Sequence, residues 1–133
     1  MERSSHPLES RRIWGLVIAT LGLAMVAIGA AGAHLLSGAD TTKISRFEIA
    51  LEYHQIHVLA MAAWLWATPQ LKRLDSLVLL AWFIGLLLFS GGLYGLALYD
   101  DHPLRSLTPL GGIALMLGWA LTGLSLWRRH VDL

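Results

Sequence analysis

The sequence predicts an all-α membrane protein, four transmembrane helices in an up-down-up-down bundle, and three observations carry that expectation. Four long apolar stretches share 133 residues. Hydrophobic residues make up 56% of the chain and charged residues 14%, against about 25% charged in ordinary soluble domains. A soluble protein of this size has too little interior to hide so much apolar surface. The segments between the stretches are short, which favours antiparallel neighbours.

Span one covers residues 13 to 36, with His34 as its one ionisable side chain. Arg11 and Arg12, an apolar run and Ala31-Gly32-Ala33 imitate a cleavable signal peptide. The run is longer than the roughly 7 to 15 residues of such a peptide's apolar region, so it is read as a retained span. Span two, 49 to 67, is mixed before Ile56 and apolar from there to Ala67. Alone it is a doubtful span. A surface helix here would leave three spans and put the basic ends on opposite sides, so it is read as crossing. Ser45-Arg46-Phe47-Glu48 fits a capping box, which places the start of helix two at Ser45.

Spans three and four, 76 to 99 and 107 to 127, contain no charged residue. Both exceed the roughly 20 residues needed to cross a bilayer about 30 Å thick. Pro69 follows helix two, and Asp75-Ser76 can cap helix three. Thr108-Pro109 puts proline in the first turn of helix four, where its missing N–H costs nothing. The organisation expected is a cytoplasmic tail at 1–12, a four-helix transmembrane domain at 13–127 and a cytoplasmic tail at 128–133. Gly22, Gly29 and Gly32, Gly85, Gly91, Gly92 and Gly95, and Gly111, Gly112 and Gly118 offer surfaces for close helix approach. Internal packing is the simpler use of them, a dimer face the other.

The chain has no cysteine, which excludes disulfides, thiolate catalysis and Cys-ligated metal centres. The net charge of +1 and the scatter of Lys and Arg near span ends argue against nucleic acid or another polyanion as a partner. There is no nucleophile elbow, no phosphate-binding glycine loop after a strand and no HExxH, so no enzymatic chemistry is assigned.

Polar chemistry instead gathers at one end of the spans. His34 closes span one, Glu52-Tyr53-His54-Gln55-Ile56-His57 opens span two, Tyr94 and Tyr99 close span three, and Asp100, Asp101, His102 and Thr108 border span four. Lipid tolerates ionisable groups only with partners, so function is sought here. The candidate pocket comprises His34, Glu52, Tyr53, His57, Ser90 and Tyr94. His34 and His57 are expected to meet across helices one and two. His54, His57 and Met61 share a helical face and are weak candidates for a soft metal. The structural alternative is that neutral histidines hydrogen-bond to Tyr53, Ser90, Tyr94 or backbone and fix helix register. An outer half-channel of Glu52, His57, His34 and Tyr94 is a further option, but Thr122 and Ser125 give little continuation toward the other side. Trp64, Trp66, Trp82, Trp119 and Trp127 read as interfacial anchors or packing residues.

Gly29-Ala30-Ala31-Gly32-Ala33-His34, the Leu51 to His57 segment, Leu88-Phe89-Ser90-Gly91-Gly92-Leu93-Tyr94 and Leu107-Thr108-Pro109-Leu110-Gly111-Gly112, then Gly118-Trp119, follow one another in a recognisable order and spacing. In these motifs the chain resembles the small inner-membrane family catalogued as domain of unknown function 423, to which animal transmembrane protein 256 looks related. His34, Tyr53, His57, Ser90 and Tyr94 fit that pattern, whereas relatives usually carry an aromatic where Ala31 stands, often Ser where Gly92 stands, and commonly Gln or another residue at the place of His54. The resemblance covers residues 13 to 127 and implies a four-span membrane protein, with no settled activity to carry over. The expected function is therefore structural or accessory, the alternative a binder of a lipid, quinone or metal at the cluster. The lipid bilayer is the partner the composition requires; a membrane-protein partner or a second copy stays open, and no cofactor is assigned.

Orientation follows from the basic residues. One side would hold Arg3, Arg11, Arg12, Lys72, Arg73, Arg128 and Arg129, the other Lys43, Arg46 and Arg105, seven against three. The positive-inside rule then puts both termini in the cytoplasm. A reporter fused after Leu133 that works only outside the cytoplasm is expected to stay silent; activity from it would reverse the orientation.

Overall fold

A computed structural model of the chain describes residues 6–99 and 103–131. Four helices follow one another: α1 (His6–Leu35), α2 (Thr41–Ala67), α3 (Arg73–Leu98) and α4 (Thr108–Val131), with a 3-10 turn at Pro103–Ser106 before the last. Three of them, over Leu8–Leu35, Arg73–Leu98 and Thr108–His130, are long and apolar enough to cross a membrane. The chain is a helical membrane bundle. α2 is as long as the others but interrupted by its ionisable residues, and it reaches no such threshold.

Several boundaries differ from the sequence expectation. α2 starts at Thr41 rather than Ser45: Asp40, in extended backbone, accepts a 3.0 Å hydrogen bond from the Lys43 amide. That bond holds the Asp40 carboxyl below its ordinary range. Asp caps as well as Ser does, and the earlier cap gains a full turn of helical hydrogen bonds. Gly38, at φ +81°, makes the turn that leads into it. α3 starts at Arg73, so Asp75 is not its cap; it lies inside the first turn and accepts from the Lys72 amide at 2.9 Å. α1 and α4 extend helically through Arg11-Arg12 and Arg128-Arg129, segments expected as tails.

Neighbouring helices are antiparallel. Gly22 faces Val58, Gly29 faces Leu51 and Gly32 faces Phe47 along α1 and α2. Gly85 meets Leu115, Gly111 meets Phe89 and Gly118 meets Trp82 along α3 and α4. α3 lies between α2 and α4, while α1 packs on α2 and touches α3 through Trp14 against Phe83. The core is Ile18, Val58, Met61, Trp64, Val78, Leu79, Trp82, Leu86 and Leu115, centred on the α2–α3 seam. Outside it, apolar side chains face outward, Leu16 at 70% and Leu23 at 73% exposed among them. In water such faces would aggregate; in lipid they are already in their solvent.

One end of the bundle is tied by cations. Arg11 donates to the carbonyls of Leu65 and Thr68 at 2.6 and 2.8 Å, which satisfies the open end of α2. Asp75, fully buried, pairs with Arg129 at 2.7 Å and accepts from the Ser125 hydroxyl at 2.8 Å. The start of α3 is thereby fixed to the end of α4.

The glycines differ in what they allow. A Cβ on Gly111 would run into the backbone of Phe89 and Leu88, which cannot rotate away, whereas one on Gly91 would meet nothing. Gly111→Ala is therefore expected to lower stability by about 1–3 kcal/mol through forced separation of α3 and α4. Gly91→Ala should be neutral or slightly stabilising. Melting of both variants in detergent is the check, and equal midpoints would refute the close α3–α4 contact.

Candidate functional site

The centre of the polar cluster is His57, 3% exposed on the face of α2 toward α3 and α4. Its Nδ1 lies 2.8 Å from the Tyr53 carbonyl one turn earlier, and its Nε2 lies 3.2 Å from the indole nitrogen of Trp119. A carbonyl only accepts and an indole N–H only donates, so the geometry fits the neutral ring with its proton on Nδ1. Each polar atom of the ring is then used. Aromatic rings surround it: Tyr53 lies parallel at 6.0 Å, with Trp82 and Trp119 edge-on at 6.3 and 6.1 Å.

A second group lies one turn toward the other end of α2. His54, 5% exposed, has Nδ1 3.2 Å from the Tyr94 hydroxyl, and Tyr94 also packs against Phe47 at 5.2 Å. The Ser90 hydroxyl is buried with no hydrogen-bond partner among the described residues. Ser90 is one turn from Tyr94 on α3, so the two share a face.

The remaining candidates lie elsewhere. His34 is exposed in the last turn of α1, and Glu52 is exposed on α2. The expected meeting of His34 with His57 is not made. The pairing of Gly22, Gly29 and Gly32 with Val58, Leu51 and Phe47 sets the register. It leaves His34 about 11 residues, or about 16 Å of helix, from the level of His57. Nor do Glu52, His34, His57 and Tyr94 line one channel, because Tyr94 pairs with His54 while His57 turns to α4. Met61 is fully buried in the core below His57. A metal on His54, His57 and Met61 would have to displace Trp119 from the only lone pair His57 has. Among the described residues no three acidic or histidine side chains are grouped to hold an ion. Asp100, Asp101 and His102 lie outside the described residues.

Beside His57 a cavity of about 460 Å³ opens between α2, α3 and α4, walled by Tyr53, Phe89, Pro109, Met116 and Trp119. Trp119 and Trp82 are site residues that sequence reasoning read only as anchors or packing, and Phe89 entered it only as part of the Leu88 to Tyr94 motif. The signal for Trp119 was its place after Gly118: a missing side chain beside a large one marks a point where an aromatic from the next helix enters. Asp75 and Arg129 were read separately, as a cap and an orientation charge. Ser125 and Arg129, one turn apart on α4, were the sign that a buried acid faces them.

A family model described as a protein of unknown function, DUF423, matches residues 28–112, from the last turns of α1 to the first turn of α4. A UPF0382 membrane protein of Haemophilus influenzae is 36% identical over 104 residues, 77% of this chain and 84% of that one. The UPF0382 inner membrane protein YgdD of Escherichia coli K12 is 38% identical over 106 residues, 75% of this chain and 78% of its own. The UPF0382 membrane protein YwdK of Bacillus subtilis is 33% identical over 102 residues, 74% and 83% of the two chains. No solved structure matches the chain. With more than half its length matched by the family model and relatives of more than 30% identity along most of both chains, the chain belongs to the DUF423 family of membrane proteins.

Proposed function

We propose that this protein is a structural or accessory component of the inner membrane, a four-span bundle with both termini cytoplasmic, whose histidine cluster locks helix register. The observation that carries this is the complete internal satisfaction of His57: one ring joins α2 to itself and to α4 across α3's aromatic side chains. The basic residues support the orientation, with Arg11, Arg12, Lys72, Arg73, Arg128 and Arg129 at one end of the bundle and Lys43, Arg46 and Arg105 at the other. α2 supports the fourth span through its place between α1 and α3, with its buried side chains running from Phe47 to Trp64.

A thermodynamic cycle on His57→Leu and Trp119→Phe tests the register role. Each single change strands the other partner and is expected to cost about 1–3 kcal/mol. The double variant should lose less than the sum by about 0.6–2 kcal/mol, the worth of an interhelical hydrogen bond in a membrane. Strict additivity would remove the basis for the assignment.

One observation favours a second reading, the cavity beside His57. Its aromatic walls and lateral opening suit a flat ring such as a quinone head or part of a lipid. Protein extracted in native lipid should then carry a stoichiometric organic molecule by mass spectrometry, and Gly112→Leu, which fills the cavity, should lose it. Identical co-purified material from both forms would end this reading.

A further inference from the structure

Four basic side chains that lie in two separate segments of the sequence meet at one end of the fold. Lys72 and Arg73 open α3, Arg128 and Arg129 close α4, and with Leu74 and Ser125 they line a cavity of about 290 Å³. Among the described residues the lining contains no acidic side chain. Asp75, behind it, has no exposed surface and spends its two oxygens on Ser125, Arg129 and the Lys72 amide. Asp75 thus balances Arg129 and holds it in place. Lys72, Arg73 and Arg128 are exposed cations around the opening. Their net charge is not offset within the cavity wall.

Depth decides what such a cavity meets. Arg128 directly follows the apolar run that ends at Trp127, and Lys72 and Arg73 stand a few residues ahead of the one that begins at Ser76. Trp127, 67% exposed, stands at the same level, as a tryptophan does at the boundary between acyl chains and headgroups. Phosphates of the bilayer lie in that layer. Guanidinium groups take two phosphate oxygens at once, and a lysine adds a point charge. Basic pockets between membrane helices select anionic headgroups on this basis.

We propose that this cavity binds the phosphate of an anionic phospholipid, with Lys72, Arg73 and Arg128 around the headgroup and the Asp75-fixed Arg129 at its side. A zwitterionic lipid brings an ammonium group for which the wall, among the described residues, offers no negative charge. The site is distinct from the His57 cavity and stands or falls independently of it.

The test uses the full chain in neutral detergent, titrated with short-chain phosphatidylglycerol, with phosphatidylcholine of the same chain length and with inorganic phosphate. Binding is read by native mass spectrometry and by the melting midpoint. Phosphatidylglycerol is expected to bind and raise the midpoint, phosphatidylcholine to do neither. Arg73→Gln with Arg128→Gln, both exposed and outside the Asp75 network, should weaken binding about tenfold or more without changing the midpoint of the lipid-free protein. Arg105→Gln, at the opposite end, should bind as the parent does. Equal binding of the two lipids, or no effect of the double variant, would overturn the proposal. Binding of inorganic phosphate without phosphatidylglycerol would overturn the lipid as the source of the anion.

Discussion

The contact on which the rest of the arrangement depends is the entry of Trp82 into the space that Gly118 leaves on α4. Any Cβ at that position would collide with the indole. Because Gly118 is bare, α3 and α4 approach closely, and Trp82 comes to lie 4.9 Å from the ring of Trp119. Trp119 is thereby held with its N–H toward α2, where His57 accepts it. His57 in turn bonds the Tyr53 carbonyl, and Tyr53 packs on Phe89 of α3 at 4.7 Å. A single absent side chain thus sets the positions of three helices. Van der Waals fit can dominate in this way in a membrane, where apolar surface gains nothing by leaving lipid for protein.

The two ends of the bundle are held differently. At the Lys72 end, charge does the work: Arg11 closes the carbonyls of α2, and Arg129 with Ser125 satisfies Asp75. At the other end one cation, Arg46, donates to the Leu96 carbonyl at 3.3 Å, and the remaining ties are aromatic and dipolar, through Phe47, Tyr94 and His54. A buried ion pair costs desolvation of both partners and is sustained only when each lone pair is used. Asp75 meets that condition with three donors. Arg129, 30% exposed along its side chain, keeps part of its hydration, which lowers the cost of holding it there.

What could be read from the chain alone was what the bilayer itself dictates. Apolar runs of sufficient length follow from membrane thickness, so the four helices and their antiparallel order were legible without any tertiary information. His57 was legible because an imidazole in an apolar run demands a partner. Its partner was not, since Trp119 is 62 residues away in sequence and a tryptophan inside an apolar run reads equally well as a packing residue. The failed meeting of His34 and His57 has a related origin. Sequence gives how far each lies from the connecting loop, but the register of α1 against α2 is set by which side chain fills which gap, here Phe47 over Gly32. The start of α2 was misplaced because Asp40 and Ser45 are both good caps, and only the energy of the extra turn separates them.

The polar first half of α2 bears on how the protein is made. A segment that carries Lys43, Arg46, Glu48, Glu52, His54 and His57 ahead of its apolar half has little tendency to partition from a translocation channel into lipid unaided. In a four-span arrangement it must wait at the channel until α3, one of the most apolar stretches of the chain, emerges and covers His54, His57 and Met61. Lateral release of α2 then depends on its successor, and the assembly of the bundle begins before synthesis has ended. Lengthening the α2–α3 connection would separate these two events in time, leaving the histidines facing acyl chains.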